Sequence, residues 1–402
     1  MSTVVEAPSV SEDASAILLL CAMLGKRHRD APAPLTVREY DALAEALHHH
    51  GLRPRSLLRA ERGTLTSVAG ALPPKIREHV SLDRLGRLLE RGGHLALALS
   101  KWTSHGIWIS TRADATYPSR YKQRLSHSAP PIVFGVGPQS LLESGGLAVV
   151  GSREPDTFSE SFTRRVGEWA ARSGVQIVSG AARGVDEIAM LTCAMHGGTA
   201  LGVVAESLLR LSTRRDFRTQ ILANHLTLVS SFDPEAPFTT GNAMGRNRWV
   251  YALADRGLVV ACSEGRGGTW AGAIEALKHS VRVFVKTGNA ARPGNDALLQ
   301  HGATPAPDDL SDMLSEAPEQ STVSPLVDHD IFSAAAPIIL TVLRKPSTAK
   351  ELAALLELTP GQVKAWLGKL ITDGKVVKSG SRFSAVRTDA LAEAEQISLL
   401  TG

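Results

Sequence analysis

The chain has 402 residues, enough for two or three domains at about 150 residues each. Hydrophobic residues make up 43% and charged residues 21%, and no apolar run approaches the roughly 20 residues that span a bilayer, so we expect a soluble globular protein that does not enter a membrane. The net charge is +4, the N-terminus lacks the basic start of a secretory signal, and three scattered cysteines exclude a disulfide scaffold and a cysteine-rich zinc site. These features predict a cytoplasmic protein.

The first segment, residues 1–105, is predicted to form a small helical domain. Its apolar residues recur with helical spacing, and proline and glycine interrupt the pattern at Pro32, Gly51 and Pro73. Three successive histidines, beginning at His48, suggest a metal site. Consecutive helical side chains, however, point about 100° apart and cannot close on one ion. We therefore expect no metal site in the chain.

Residues 106–304 alternate short apolar runs with amphipathic stretches, which is typical of a parallel β-sheet covered by helices. The runs are apolar throughout, so the strands should be buried on both faces. The predicted fold class is therefore α/β. The predicted strands are 147–150, 175–178, 200–204, 226–230, 258–262 and 281–285, and the predicted helices are 159–173, 186–196, 246–255 and 269–279.

The next segment, residues 305–330, is predicted to be an acidic, proline-containing linker. Between residues 303 and 330 there are seven acidic residues, four prolines and no lysine or arginine. The remaining tail, residues 331–402, carries the basic excess, because residues 332–388 hold nine lysines or arginines and three acidic residues.

The tail has the pattern of a winged helix-turn-helix. Thr348 can cap one helix, and Thr359-Pro360 supplies an N-cap and an N1 proline for the next helix. Two short strands, 375–378 and 382–386, then form a hairpin. Such a module binds either duplex DNA or another protein, and both alternatives stay open at this point. The candidates for contact with DNA are Gln362, Lys364, Lys369, Lys375, Lys378 and Arg382.

Glycine-containing turns with arginines follow the strands of the central segment. Gly151-Ser152-Arg153 and the run from Ser179 to Gly184 each join a strand to a helix, where free amides and the helix dipole favour an anion. Arg246-Asn247-Arg248 and Gly265 to Thr269 lie at later helix starts. Because the carboxyl ends of parallel strands share one edge, these turns should converge, and guanidinium groups bind phosphates bidentately. The predicted phosphate-binding residues are Gly151, Ser152, Arg153, Ser179, Gly180, Arg183, Gly184, Arg246, Asn247, Arg248, Arg266, Gly268 and Thr269.

Together these motifs resemble those of the DprA/Smf family of DNA-processing proteins. The resemblance extends over about residues 106–304 and includes Tyr117-Pro118 and the run from Pro130 to Gly135. The elements Gly-Ser-Arg, Ser-Gly-x-Ala-Arg-Gly-x-Asp and Arg-Asn-Arg occur in the family's order, which makes the match specific. The winged helix is similar to the tail module of some members.

The resemblance implies an extended Rossmann-like fold that binds single-stranded DNA and has no enzymatic activity. It also implies a homodimer that helps to load a RecA-type recombinase during transformation. The chain departs from the family pattern in the loop 202–207, at 232–235 and at 267–269, so it is a divergent member. The resemblance assigns phosphate contact to Ser152, Arg153, Ser179, Gly180, Arg183, Arg246 and Arg248, with Asn247 holding the turn.

Two other functions use the same residues. A nucleotide-sensing regulator would bind its ligand in the cleft and read duplex DNA through the winged helix. A LOG-type nucleotide hydrolase would need a glutamate at the pocket, but Glu275 lies six residues after Thr269, about 1.7 helical turns away. The chain has no GxGxxG fingerprint, Walker A motif or hydrolytic triad, so we expect no cofactor and no catalytic residues. Trp249 and Trp270 follow the pocket motifs and are expected in the core rather than stacked on bases.

Overall fold

A computed structural model of the protein describes residues 10–25, 31–288 and 293–315. In the tail it describes residues 339–340, 342–343, 346–355, 363, 367–368, 370–371 and 375–385. The chain divides into two compact units, Met1–Glu316 and Ala317–Gly402. Among the helices of these described ranges, none is both long enough and apolar enough to cross a bilayer.

The described part of the first hundred residues is helical, as predicted. Thr36 and Glu39 form a reciprocal capping box at the start of the second helix, and the hydroxyls of Ser11 and Ser81 cap two others. These helices are α1 (Glu12–Cys21), α2 (Val37–His49), α3 (Arg62–Ala71), α4 (Pro74–Arg77), α5 (Leu82–Leu89) and α6 (Gly92–Ser104), with a 3-10 turn at Pro54–Arg59.

The central segment alternates strands and helices, which confirms the predicted α/β class. Its elements are β1 (Trp108–Thr111), α7 (Ser119–Leu125), β2 (Ile132–Val136), β3 (Leu147–Val150), α8 (Thr157–Arg172), β4 (Ile177–Ser179), α9 (Val185–Met195), β5 (Ala200–Val203), α10 (Leu208–Thr213), α11 (Arg215–Leu222), β6 (Leu226–Ser230), α12 (Thr240–Leu253), β7 (Arg256–Val259), α13 (Gly267–Lys278), β8 (Val283–Val285), α14 (Pro293–Gln300), β9 (Thr304–Pro305) and α15 (Asp312–Ser315).

The strands form one sheet in the order β1-β2-β6-β5-β4-β3-β7-β8-β9. The strands from β6 to β9 in this order are parallel, whereas β2 pairs antiparallel with both β6 and β1. From β3 the chain adds β4, β5 and β6 on one side and then β7, β8 and β9 on the other. The strand order therefore reverses between β3 and β7, which is where open α/β sheets bind ligands.

Both faces of the sheet are covered, and the N-terminal helices share a core with one of them. Residues of α1 to α6, α8, α9 and α11 pack on one face, and residues of α7, α12, α13 and α14 pack on the other. Trp102 of α6 meets Phe134 of β2 edge to face, with ring centroids 4.9 Å apart. The predicted boundary at residue 105 falls in the loop between α6 and β1, within the first compact unit.

The start of the predicted linker belongs to the folded unit. β9 pairs with β8, and Leu310 and Met313 are buried in the core that α8 covers. The Nε1 of Trp169 donates to the Ser311 hydroxyl at 3.4 Å. The sequence of the predicted linker does not indicate this packing, because its few buried residues are separated by aspartates. Residues 316–338, which include the rest of the predicted linker, lie outside the described residues.

The second unit contains a three-stranded sheet in the order β10 (Ser347–Thr348), β12 (Arg382–Ala385) and β11 (Val376–Ser379), with α16 (Ala349–Leu355) after β10. Thr348 and Glu351 form a reciprocal capping box at α16, which confirms the predicted cap. β11 and β12 correspond to the predicted hairpin strands. The winged helix as a whole stays a prediction, and its candidates Gln362, Lys364 and Lys369 lie outside the described residues.

Candidate nucleic-acid interface

A cleft of about 320 Å³ opens at the carboxyl ends of the strands, between β3 and β7. Its walls are the turn after β3, the turn after β4, the first half of α12 and the turn that leads from β7 into α13. The structure brings eight of the thirteen predicted residues to this cleft: Gly151, Ser152, Arg153, Arg246, Asn247, Arg266, Gly268 and Thr269.

The turns after β3 and β4 are fixed against each other. Gly184 has a φ of +90°, and a Cβ at this position would overlap the carbonyl oxygen of Ser152. The amide of Val185 donates to that same oxygen at 3.1 Å. Glycine is required here by both its conformation and the close approach. Gly184 is therefore a structural residue that aligns two walls of the cleft.

Asp186 supplies an internal anion to the same turns. Its side chain is buried, and its carboxylate accepts hydrogen bonds from the backbone amides of Gly151, Gly180 and Ala182. Burial raises the pKa of Asp186, while the nearby Arg246 guanidinium and the amides act in the opposite direction. Amides that the sequence suggested for phosphate contact are thus already occupied by a carboxylate of the chain itself.

Arg246 lies in the floor of the cleft. It is 5% exposed, and its Nη1 lies 3.7 Å from Oδ2 of Asp186. A Cβ on Gly180 would overlap the guanidinium, so the guanidinium packs directly on the backbone of the turn after β4. Burial lowers the pKa of Arg246, and Asp186 opposes this effect. Arg246 therefore neutralises a buried carboxylate and joins α12 to that turn.

The rim of the cleft carries exposed arginines. Cζ of Arg153 lies 4.7 Å from the ring centroid of Phe238. Arg183 does not itself line the cleft but follows Ala182, which does. Its Nη2 pairs with Oε1 of Glu154 at 2.7 Å, and the two side chains are 74% and 82% exposed. Arg266 is exposed immediately before α13. Exposed ion pairs contribute little to stability, so the Arg183–Glu154 pair adds little to the fold.

The start of α13 presents its backbone to the cleft. Arg266 occupies the N-cap position and offers no side-chain acceptor for the first amides of this twelve-residue helix. A Cβ on Gly268 would approach Nδ2 of Asn247 to 2.5 Å, so α12 lies close against the helix start. The Thr269 hydroxyl donates to the carbonyl of Gly151 at 3.2 Å, which joins this wall to the turn after β3. Free amides at a helix N-terminus suit an anion.

Two predicted contact residues lie elsewhere. Ser179 is fully buried, and its hydroxyl donates to the carbonyl of Val149. Arg248 is half-buried, and its Nε donates to the carbonyl of Gly245 at 3.2 Å. Ser152, although it lines the cleft, uses its hydroxyl within its own turn, where it donates to the carbonyl of Glu154 at 3.0 Å. These hydroxyls stabilise the turns.

The two tryptophans contribute to packing. Trp249 is buried against Phe232, with ring centroids 5.2 Å apart, which confirms its predicted place in the core. Trp270 is half-buried, and its ring meets His301 edge to face at 5.6 Å. Glu275, the residue considered for hydrolysis, is not among the described residues that line the cleft.

Three residues that line the cleft were missed by the sequence reasoning. Phe238 and Met244 are 44% and 51% exposed, and Tyr251 is buried with a hydroxyl that has no hydrogen-bond partner in the described part of the chain. For Phe238 and Met244 the signal was the N-cap at Thr239, whose hydroxyl accepts from the amide of Asn242 at 3.0 Å. Tyr251 lies within the predicted helix and offered no such signal. Glycines in the first turns of α12 lower helix propensity, so the predicted helix began too late, at Arg246.

A cluster of possible metal ligands lies far from the cleft in the sequence. His127 Nδ1 lies 2.8 Å from Asp41 and 3.3 Å from Glu45, and Asp41 also pairs with Arg112 at 2.9 Å. These contacts join α2 to Arg112, which follows β1, and to the 3-10 turn after α7 that carries His127. The three histidines from His48 onward are exposed at the end of α2.

Comparison with known proteins decides the family. The family model described as DNA recombination-mediator protein A matches residues 108–318, about half of the chain. The chain belongs to this family. It is 31% identical over 210 residues to Protein Smf of Escherichia coli, a match that covers 49% of this chain and 56% of that protein. It is 26% identical over 232 residues to DNA processing protein DprA of Bacillus subtilis, covering 56% and 77% of the two chains.

The fold comparison agrees with this assignment. The X-ray structure of DprA from Streptococcus pneumoniae superposes with a TM-score of 0.59 at 20% identity, covering 77% of this chain and 98% of that one. The predicted DprA/Smf membership and the Rossmann-like sheet are therefore confirmed. The chain spans little more than half the length of the Escherichia coli relative, so the match is to a part of that protein.

Proposed function

We propose that this chain binds single-stranded DNA through its phosphate backbone in the cleft between β3 and β7. The observation that carries the proposal is the convergence of exposed Arg153 and Arg266 with the uncapped amides of α13 around one cleft. The cleft lies where the strand order reverses, in a member of a DNA recombination-mediator family. Arginine forks and helix N-termini both bind phosphate oxygens.

The size of the cleft favours a single strand. Its volume of about 320 Å³ is near the lower end of the roughly 300–1,000 Å³ that small-molecule sites occupy. A recess of this size suits part of one unpaired strand better than the full width of a base-paired duplex. Binding through phosphates is tolerant of sequence and weakens as salt concentration rises. The protein then acts by binding rather than by catalysis and uses no cofactor.

The partners follow from the family resemblance. A protein that holds single strands as a homodimer can deliver them to a RecA-type recombinase during DNA uptake or recombination in the cytoplasm. The tail unit would add contact with duplex DNA through the exposed side chains Lys375, Lys378 and Arg382. Arg382 also donates to the carbonyl of Pro346 at 3.4 Å, which places it beside the start of β10.

The test is fluorescence anisotropy of a labelled oligo-dT and a matched duplex, titrated with the full chain at two salt concentrations. We expect tighter, salt-sensitive binding of the single strand. The variant Lys375→Ala/Lys378→Ala/Arg382→Ala should lower duplex affinity and leave oligo-dT affinity unchanged. Failure of the unaltered chain to bind oligo-dT, or loss of oligo-dT binding in the tail variant, would contradict the cleft proposal, and equal loss on both ligands would contradict separate sites.

A further inference from the structure

An exposed aromatic ring lies at the mouth of the cleft. Phe238 belongs to the loop between β6 and α12 and is 44% exposed although it is a large apolar residue. The N-cap bond from the amide of Asn242 to the Thr239 hydroxyl, at 3.0 Å, fixes the backbone that immediately follows the ring. The ring is therefore held at the mouth by a folded helix start.

One side of this ring is occupied by an arginine from another wall. Cζ of Arg153, in the turn after β3, lies 4.7 Å from the ring centroid, which is within cation–π range. The exposed thioether side chain of Met244 lines the same cleft. Phe238 is 44% exposed and lines the cleft, so part of its surface is open to a ligand. A flat apolar surface next to a phosphate-binding charge has the chemistry of a nucleotide unit.

We propose that Phe238, backed by Arg153, forms a stacking subsite for one unpaired nucleobase. This inference rests on the proposed function. A phosphate held by Arg153 and the start of α13 leaves its attached base within reach of the ring. Every base has a π face, so such stacking tolerates any sequence. Bases inside a duplex are already stacked on their neighbours, so this subsite selects single strands.

A structural role for Phe238 makes a different prediction. If the ring only holds Arg153 in position, its removal weakens binding of any DNA backbone, with or without bases. If the ring stacks on a base, its removal matters only when a base is present. An oligonucleotide with abasic positions separates the two roles, because it keeps every phosphate and has no base to stack.

The experiment uses the full chain, a labelled oligo-dT and an abasic oligomer of the same length and charge. We expect Phe238→Ala to weaken oligo-dT binding roughly tenfold, within the range measured for stacked bases, and to leave binding of the abasic oligomer unchanged. Phe238→Trp should retain affinity for oligo-dT, and the salt dependence of Phe238→Ala should equal that of the unaltered chain. Phe158→Ala is the matched control, because Phe158 is 73% exposed and does not line the cleft.

Two results would overturn the inference. Equal loss on oligo-dT and on the abasic oligomer would reduce Phe238 to a support for Arg153. Unchanged oligo-dT binding by Phe238→Ala would remove the subsite while leaving the proposed function in place. Failure of the unaltered chain to bind oligo-dT at all would instead contradict the proposed function, so the two failures are distinguishable.

Discussion

The arginine in the floor of the cleft and those at its rim belong to motifs that meet at the cleft, but their surroundings differ. In the floor, Arg246 is 5% exposed and faces Asp186 and Gly180. Beside the cleft, Arg183 is 74% exposed and pairs with a surface glutamate, and at the rim Arg153 lies over the ring of Phe238. The motif order alone would assign phosphate contact to all three. The difference teaches that burial decides whether such an arginine is used within the fold or stays available to bind the proposed ligand.

The largest expected effect is the loss of stability when Arg246, in the floor of the cleft, is replaced. Arg246→Ala leaves the buried Asp186 carboxylate without its counter-charge, so we expect a loss of about 3–5 kcal/mol in the free energy of unfolding. Urea denaturation followed by circular dichroism measures it. Arg248→Ala, in the same turn of α12, is the matched control and should cost about 1 kcal/mol, the value of one ordinary hydrogen bond. If Arg246→Ala kept full stability and lost only DNA affinity, the division between floor and rim would be wrong.

Replacing an exposed arginine at or beside the rim should weaken DNA binding and leave stability unchanged. Arg153→Ala removes a phosphate contact, so we expect about tenfold weaker oligo-dT binding and a salt slope flatter by about 0.7, with stability unchanged. Arg183→Ala should have a smaller effect because Glu154 competes for its guanidinium. Anisotropy titrations at several salt concentrations measure both. Arg165→Ala, an exposed arginine of α8, serves as control. An unchanged salt slope in both rim variants would remove the rim from the binding site.

The smallest expected effect is on the pH dependence of stability, through the loop between β6 and α12 that carries Phe238. Burial raises the pKa of Asp233 in this loop to about 6. A raised pKa in the folded state means that its contribution to stability is present below the unfolded pKa, near 4, and is lost as pH rises through 6. Asp233→Asn should therefore match the unaltered chain at pH 4 and exceed it in stability, by a growing margin, up to pH 6. Urea midpoints across this range check it, and a constant difference at all pH values would contradict it.

Much of the fold could be predicted because its strands are short apolar runs between glycine turns. The predicted 147–150 and 226–230 coincide with β3 and β6. The predicted strand 258–262 ends three residues after β7. Residues 260–262 are apolar and buried, but the register of β7 with β3 ends at Val259. β1 was not predicted, since Trp108–Thr111 is half polar and pairs only with β2.

The sequence predicted where the site lies, but not which of its residues stabilise the fold and which are exposed to a ligand. Gly-Ser-Arg identified the turn after β3, because strand-to-helix turns share one sheet edge. Arg-Asn-Arg identified the part of α12 that meets it, although the helix begins six residues before this motif. Which arginine is buried depends on contacts between distant segments. Arg246 turns inward because Gly180, from a different strand, has no side chain and Asp186 supplies a charge. Ser179 turns away because the neighbouring strand offers the carbonyl of Val149.

The Asp186 carboxylate has a consequence for the kinetics of binding. By accepting the amides of Gly151, Gly180 and Ala182, it holds two walls of the cleft in their final geometry before any DNA arrives. A strand then meets a finished surface, so encounter should be limited by diffusion and by the attraction of the rim arginines rather than by loop rearrangement. Variants that remove a rim arginine should accordingly slow the arrival of a strand, whereas Phe238→Ala should mainly shorten the time that a strand stays bound.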